Sequence, residues 1–502
     1  MENKPSRSLD AESRYRRLES TRSAYIKRAE QCAGLTIPAL FPVNGNAETL
    51  QTPYQGLGSR GVKHLTNKLV MALLPPNTPF FQLLLSEEVD AEGTKGEVDK
   101  ALSMMESTIK KEIESSQLRS RLYEAIRQLM VAGNYLLYFG PEGVKGYRLD
   151  KYVLKRDGLG RISECIIKEV ITPDDIPTSV RDAVLGPTQI NPDPEKELNQ
   201  YTVIRRAGKR FRVYQEIKGV VVPESRGKYS EDTLPWLPLR MIRVDGEDYG
   251  RSYVEEHLGD LVSLEKLSQA IVDGSQAAAR VVFLIEQGSI LTPDAVKKAR
   301  NMDILRGKKE DVTTIQLDKF HDFRIASETI SQINRELSNA FLLNTSVQRN
   351  AERVTAEEIR FMAAELEQAI GGVYTLLALE LQLPLVSIIM ERLKRKGRLP
   401  QIKKGDIEPQ VLTGIEALGR SQELEKLRVL QSFMQALSPE LVQKYTHVDE
   451  FVKRIGAALH LDTNDLVKTT EQIKKAEQQE ALSQMLQQVS PDLMKQFQGE
   501  TI

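Results

Sequence analysis

A chain of 502 residues has length for about three domains of ~150 residues and for several hydrophobic cores. Its 40% hydrophobic, 6% aromatic and 28% charged residues, with 31 Gly and 22 Pro, exclude a disordered or collagen-like chain and point to a folded, helix-leaning protein. Lys plus Arg number 69 against 70 Asp plus Glu, a net charge of -1, which excludes tight wrapping of nucleic acid by the bulk surface.

The first element in chain order is a basic amphipathic helix from Asp10 to about Cys32, with Arg14, Arg16, Arg17, Arg22, Lys27 and Arg28 set against Leu18, Tyr25 and Ile26. Residues 1–33 hold eight Lys/Arg and five Asp/Glu, a balance of +3. Such a face is either simply solvated or a contact for a polyanion. A second helix, about Ser59 to Leu74, must stop at Pro75-Pro76, because proline lacks the amide donor. Helices over about 97–114 and 118–131 follow.

After Gly133 the period changes from about 3.6 to 2. NYLLYF, YRLDKYVLKR, the turn DGLGR and ISECIIKEVI read as antiparallel sheet. A Pro/Asp-rich surface excursion, Pro173 to Asn199, separates these strands from a further hairpin, YTVIRRAG-KRFRVYQEIKGVVV.

From Gly250 onward the spacing is helical. Leu258, Leu261, Leu264, Leu267 and Ile271 predict a rod over Arg251 to Ala279, ~43 Å long at ~1.5 Å per residue. Ser252 and Glu255 are placed to form a capping box at its start. A return helix, about 326–343, carries Ile330, Ile333, Leu337 and Phe341 on one stripe, and a small mixed module (281–322) lies between the two rods. The linker NTSVQRNAER then leads to a second capping box, Thr355 and Glu358, and to a helix from Ala356 to about Lys396 that Gly371-Gly372 and Pro384 should bend. After the basic stretch ERLKRKGRLPQIKK the last hundred residues read as short helices ending in a Gln-rich one.

The longest apolar stretches, Val70 to Leu74 and Leu383 to Met390, fall short of the ~20 residues a bilayer span needs, and the first residues lack a signal-peptide apolar region. No membrane is therefore expected as a partner. Cys32 and Cys165 form no CxxC or Cys/His cluster, which argues against disulfides and thiolate zinc and fits synthesis in a reducing cytoplasm.

Gly56-Leu57-Gly58-Ser59-Arg60-Gly61 matches a pyrophosphate-cradling GxGxxG, yet it follows a polar loop rather than a strand and reads better as a tight turn before a helix. The dipeptides Gly208-Lys209, Gly227-Lys228 and Gly307-Lys308 are not followed by Ser or Thr, so no P-loop exists. His64, His257, His321, His447 and His460 lack ligand spacing. Asp245, Glu247 and Asp248, followed by Glu255 and Glu256, make a divalent cation conceivable, although the order is not that of an EF-hand and no metal is assigned. The basic residues Lys297, Lys298, Arg300, Arg306, Lys308 and Lys309 fall in the module between the rods, and Arg349 and Arg353 in the linker after the second rod. Alone these are ordinary solvated charges. Repeated around a symmetric ring, they become belts that touch phosphates without reading bases.

Read together, RAEQCAGLTIPALFP, YQGLGSRGVKHLTNKLVMALLPP, PLRMIRVDGEDYGRSYVEEHLGDLVSLEKL, NAFLLNTSVQRNAERVTAEEIRFMAAELEQAIGGVYTLLALELQLPLV and TGIEALGR resemble the portal, or head-to-tail connector, proteins of short-tailed, podovirus-type tailed bacteriophages. The likeness covers most of the chain to about Arg420. It implies an α+β, predominantly α subunit of a ring, usually of twelve copies, at one capsid vertex. Residues 1–250 would form the wing, 251–280 and 323–345 the two stem helices, and 281–322 the clip. Residues 346–354 would be the tunnel loop, 355–400 the long wing helix, and 401–502 the crown and C-terminal helices.

The resemblance further implies a non-enzymatic conduit without cofactors, assembled in the host bacterial cytoplasm and carried in the virion for DNA packaging, retention and ejection. Its partners would be double-stranded DNA, scaffolding and major capsid protein, the terminase large subunit docking on the clip, and a tail adaptor. Two readings from other classes stay open: a nucleotide-binding enzyme using GLGSRG, and a monomeric nucleic-acid adaptor using the basic N-terminal helix. Native mass separates them, since only the ring predicts a species near a dozen times 56.6 kDa.

Overall fold

Helix α1 (Ala11–Gly34) starts where Asp10 accepts a hydrogen bond from Ser13 N at 3.1 Å, satisfying one orphan amide of the first turn. The computed structural model that contains it describes residues 10–42, 52–75, 80–85, 95–115, 118–186, 197–279, 282–315, 320–343, 365–399, 407–411 and 432. Helix and sheet are mixed, in two units: Met1–Asn77 with Ser116–Ile388, and Thr78–Ser115 with Ile389–Ile502.

The basic face expected of α1 is corrected at two positions. Arg22 is buried because its guanidinium donates to the carbonyls of Leu149 (3.1 Å), Asp150 (3.0 Å) and Tyr152 (2.7 Å). Arg14 is buried against Glu164 and donates to the Tyr214 hydroxyl at 3.1 Å. A charge leaves water only when it is paired and hydrogen-bonded, and both of these are. Arg16, Arg17, Lys27 and Arg28 remain exposed.

Helix α2 (Leu57–Leu73) ends one residue before Leu74-Pro75, as the proline requires. Strand β1 (Phe81–Leu85) and helix α3 (Lys95–Ser115) follow, then α4 (Leu118–Ala132), which buries Leu118, Leu122, Ile126 and Leu129 among α1, α2 and the strand after it. The sheet region holds β2 (Asn134–Gly140), β3 (Gly143–Arg148), β4 (Tyr152–Arg156), β5 (Ile162–Ile171), helix α5 (Thr178–Leu185), then β6 (Leu198–Ala207), β7 (Arg210–Ile217), β8 (Val220–Ser230) and β9 (Trp236–Arg240).

These strands make two antiparallel sheets, ordered β4-β5-β6-β7-β8 and β3-β2-β9. Strand β9 was not anticipated. Its Pro238 cannot donate to a ladder, and the strand accordingly sits at an edge, with Trp236 stacked on Tyr138 at 4.6 Å between centroids. The excursion predicted over 173–199 is also corrected. Val180 and Val184 on α5 pack with Ile176, Leu198, Ile217 and Val222 as a satellite core. Residues 187–196 of that stretch lie outside the described ones.

The first rod is not continuous. Helix α6 (Tyr253–Glu256) breaks at His257 (φ -106, ψ 15) before α7 (Leu258–Ala278). Then come β10 (Val282–Ile285), α8 (Pro293–Lys298), β11 (Val312–Ile315) and α9 (Phe320–Ala340), with β10 and β11 paired antiparallel. Helices α7 and α9 form the hairpin the spacing predicted, and Gly274 leaves room for the Phe323 ring across it. Burial thins along the rods. Leu261, Leu264, Leu337 and Phe341 are buried, whereas Leu267, Ile271, Ile330 and Ile333, nearer the tip, are only partly covered.

The long helix is interrupted at both expected places. Residues 365–370 are helical, Gly371-Gly372 forms a turn, α10 (Val373–Leu377) passes into a π-helical turn at Ala378–Gln382, and α11 (Leu383–Arg395) follows. Pro384 has no N–H for the Glu380 carbonyl and its ring crowds that carbonyl, so the backbone widens just ahead of it. The stretch Val373–Arg395 is long enough to cross a membrane, and its most apolar window of 18 residues has mean hydropathy 1.8, but 61% of that window is buried within the protein, as in a core helix.

In the second unit β1 pairs with β12 (Ile407–Val411) from Phe81↔Val411 to Leu85↔Ile407. Glu106 accepts from Leu83 N at 2.7 Å, and Glu112 takes Lys396 and Arg398 at 3.3 and 3.2 Å.

Candidate functional site

Helix α2 organises the region from which the linker after the second rod departs and to which it returns. Gly61, His64 and Lys68 lie at i, i+3 and i+7 on this helix and so share one face. A Cβ at Gly61 would stand 2.5 Å from the Phe341 ring, so the missing side chain admits the end of α9. His64 hydrogen-bonds the Leu342 backbone, just past α9, where φ is 54. Lys68 Nζ pairs with Glu365 Oε2 at 2.9 Å, where the described chain resumes. The end of α2 is held by the same returning chain: Tyr374 Oη donates to the Ala72 carbonyl at 3.2 Å and Gln382 Nε2 to the Leu73 carbonyl at 2.6 Å. Both linker roots therefore rest on one helix. Arg349, Arg353, Thr355 and Glu358 themselves lie outside the described residues.

The glycine loop uses its helix terminus internally. Gln55 Oε1 accepts from Gly58 N at 2.8 Å, its Nε2 donates to the Leu35 carbonyl at 2.6 Å, and Glu265 accepts from Tyr54 N at 2.9 Å. The amide that a pyrophosphate would need first is engaged by a side chain, and Gly61 by a ring.

The segment Asp248-Tyr249-Gly250 fastens the two sheets together. Asp248 Oδ1 accepts from Arg156 N at 2.7 Å, Tyr249 Oη from Leu154 N at 2.9 Å, and Gly250 exchanges hydrogen bonds with the Asn134 side chain at 2.7 Å each way. Beside it lies a buried charge cluster that the sequence reading missed. Arg240 donates Nε to Glu380 Oε1 at 3.0 Å and also ion-pairs with it through Nη2, tying the π-helical turn to β9. Arg156 donates to the carbonyls of Pro238 (3.0 Å) and Gly160 (2.9 Å). Burial, followed by the charge of Arg240, brings Arg156 down to about 10, still a cation at neutral pH.

Of the five carboxylates considered for a cation, four are taken by basic groups instead. Asp245 pairs with Arg243 at 3.1 Å, Glu247 with Arg251 at 2.6 Å and with the Tyr25 hydroxyl at 2.9 Å, and Asp248 with Lys155 at 3.1 Å. Among the described residues no group of three or more His, Cys, Asp or Glu is gathered as for a metal. Ser252 accepts from Glu255 N at 3.1 Å, half of the expected box, while the Glu255 carboxylate turns away to Arg251 (3.0 Å) and Arg28 (3.3 Å). Cys32 and Cys165 are buried, which pushes each thiol up to about 12.

The module between the rods places Lys297 and Lys298 in the last turn of α8, whose start is capped by Thr292. Their side chains and those of Arg300, Arg306, Lys308 and Lys309 are all exposed. So are large apolar groups: Ile290 (83%), Met302 (93%) and Ile304 (96%), with Phe283 and Leu284 uncovered on opposite faces of the β10–β11 hairpin.

A helix-and-sheet body bearing a helical hairpin with a charged, apolar tip describes a structural subunit made to contact other chains. The chain belongs to the family of bacteriophage head-to-tail connecting proteins, whose model matches residues 9–467, and its function is that of a portal, or head-to-tail connector. It is 40% identical over 489 residues to the portal protein of Escherichia phage T7, covering 94% of this chain and 90% of that protein. It is 40% identical over 485 residues to the portal protein of Enterobacteria phage T3, with the same coverage, and 27% identical over 468 residues to that of Pseudomonas phage phiKMV, covering 90% and 91%. Among solved structures, the neck of an empty GTA particle computed with C6 symmetry matches at 13% identity and TM-score 0.37, covering 79% of this chain and 89% of that one.

Proposed function

We propose that twelve copies of this chain close into a ring at one capsid vertex, through which double-stranded DNA is packaged, retained and ejected. The observation that carries this reading is the unfinished hairpin. An isolated subunit leaves Ile290, Met302 and Ile304 almost fully in water and its rods half covered toward the tip, which neighbouring copies on either side would bury. In that frame residues 1–250 serve as wing, α7 and α9 as stem, 281–322 as clip, 346–354 as tunnel loop, 355–400 as the long wing helix and 401–502 as crown. The clip cations Lys297, Lys298, Arg300, Arg306, Lys308 and Lys309 steer the terminase large subunit during packaging and the tail adaptor afterward, since rim charges set encounter rates and partner choice. Scaffolding and major capsid protein surround the ring during assembly in the host cytoplasm. A net charge of -1 suits a conduit, because DNA that must slide cannot be held by many counterion-releasing contacts. Native mass spectrometry of the purified protein is the test. A species near twelve times 56.6 kDa is expected, and a stable monomer at micromolar concentration overturns the ring.

A further inference from the structure

One row of side chains crosses the whole five-stranded sheet. By register Lys155 on β4 stands opposite Glu164 on β5, Glu164 opposite Arg205 on β6, Arg205 opposite Arg212 on β7, and Arg212 opposite Lys228 on β8. The row lies on the face that carries α1, one step beyond Val203 and Tyr214, which α1 covers. Its only carboxylate does not serve its neighbour, because Glu164 is drawn to the buried Arg14, and Lys155 has Asp248 at 3.1 Å. Arg205, Arg212 and Lys228 are left exposed, with no carboxylate within 4.0 Å among the described residues, and Arg210, two residues before Arg212, is exposed and unpaired in the same way. On the opposite face Arg206 is neutralised by Glu231 at 2.6 Å.

Strands lie ~4.8 Å apart, so three like charges occupy ~10 Å of sheet, an arrangement that costs stability in a free subunit. We propose that this face is a second DNA-contact surface, separate from the channel, that grips the phosphate backbone of a duplex lying against the outside of the subunit. Charge complementarity favours phosphates over a protein partner. Protein interfaces are centred on apolar anchors with charge kept to the rim, whereas none of the exposed large apolar residues falls in 198–230. Three of the four cations are arginines, whose planar forks suit phosphate oxygens and read no bases. A duplex presents one charge per ~1.7 Å of axis, so ~10 Å of it satisfies all three members of the row.

The test uses the assembled protein and covalently closed circular duplex, which cannot thread a closed ring, so its failure leaves the channel reading untouched. Binding is measured as a function of salt for the parent, for the triple variant Arg205→Gln, Arg212→Gln, Lys228→Gln, and for Arg349→Ala, Arg353→Ala. The triple variant is expected to keep its Tm, because it loses like-charge repulsion, to bind circles at least about tenfold more weakly, and to show a salt slope lower by about 3. The Arg349/Arg353 variant is expected to bind circles like the parent. Unchanged circle binding by the triple variant overturns the proposal. So does loss of binding to a poly-glutamate peptide with circle binding intact, which assigns the face to an acidic protein. If the triple variant is unstable, the pair Arg212→Gln, Lys228→Gln is read instead, and unchanged circle binding and salt slope in that pair at parental Tm also overturn it.

Discussion

Gly61 and Phe341 stand so close that a single methyl group on the glycine would lie 2.5 Å from the ring. This approach seats the end of the second rod on α2, and it explains a glycine that otherwise reads as part of a nucleotide fingerprint.

Gly61→Ala is therefore expected to destabilise by about 1–3 kcal/mol through overpacking. Gly56→Ala, with nothing within 4 Å of its added carbon and φ -99, should leave Tm unchanged. Neither ATP nor NAD should raise the parent's Tm. A saturable shift of several degrees with either nucleotide would restore the enzyme alternative.

The Arg240–Glu380 pair yields a second expectation. Its side chains are 4% and 17% exposed, and removing Glu380 leaves two buried arginines, Arg240 and Arg156, facing each other without a counter-charge. Glu380→Leu should cost about 3–5 kcal/mol in a denaturant melt, and adding Arg240→Met should recover much of it, because a buried pair replaced whole is often near neutral. A single variant as stable as the parent would show that the π-helical turn does not depend on the pair.

These residues mark where the sequence stops being legible. The rods, the bends at Gly371-Gly372 and Pro384, and the strands after Gly133 are readable because period and proline chemistry act locally. Arg14 and Arg22 are not, because Glu164, which pairs with Arg14, and the carbonyls at 149, 150 and 152, which cover Arg22, arrive from more than a hundred residues away, and of the paired carboxylates only Glu19, which meets Arg22 at 3.1 Å, is local. Helix α5 is hidden by flanking Pro and Asp that look like loop, though Val180 and Val184 already stand at i, i+4. The split into two sheets is not written in the alternation, and the hydrogen bonds of Asn134, Asp248 and Tyr249 that fasten the sheets join residues 92 to 116 positions apart.

Two histidines give stability a pH dependence. Burial holds His64 and His257 below the ordinary value of 6.5; Lys68 pushes His64 further down, while the Leu342 backbone and Glu365 push it back, and Glu256 and Asp260 do the same for His257. The unfolded chain then binds protons that the folded chain refuses, so their contribution is complete above pH 6.5 and is lost as pH falls from there through the folded values. Tm should drop between pH 7.5 and 6.0. In His64→Asn, His257→Phe, which keeps the ring packing on Tyr253 and Phe341, that slope should flatten. An identical slope in the variant would assign the dependence to other groups.

Reversal of Lys297, Lys298 and Lys308 to Glu should leave ring mass unchanged, since all three side chains are exposed, yet slow docking of terminase or tail adaptor. Packaging and tail attachment at parental rates would remove the docking role from these cations.

The last expectation joins the linker arginines to the helix that holds the linker's roots. Arg349 and Arg353 belong to a stretch that leaves from Leu343 and returns at Glu365, and on both sides its anchor is α2: Phe341 over Gly61 and Leu342 at His64 before it, Glu365 on Lys68 after it. If guanidinium groups in this linker touch passing phosphates, their reach depends on those anchors as much as on their own charge. Arg349→Ala and Arg353→Ala should each preserve folding and ring mass, while at least one alters packaging or retention of the genome. Lys68→Glu and Glu365→Lys should each disturb retention in the same assay, and the two together should restore it, because the exchanged pair regenerates the anchor. Normal retention in both arginine variants, or rings lost in both, removes the tunnel-loop role. Failure of the exchange to rescue, with the arginine variants defective, leaves that role standing and shows that the Lys68–Glu365 pair does not position it.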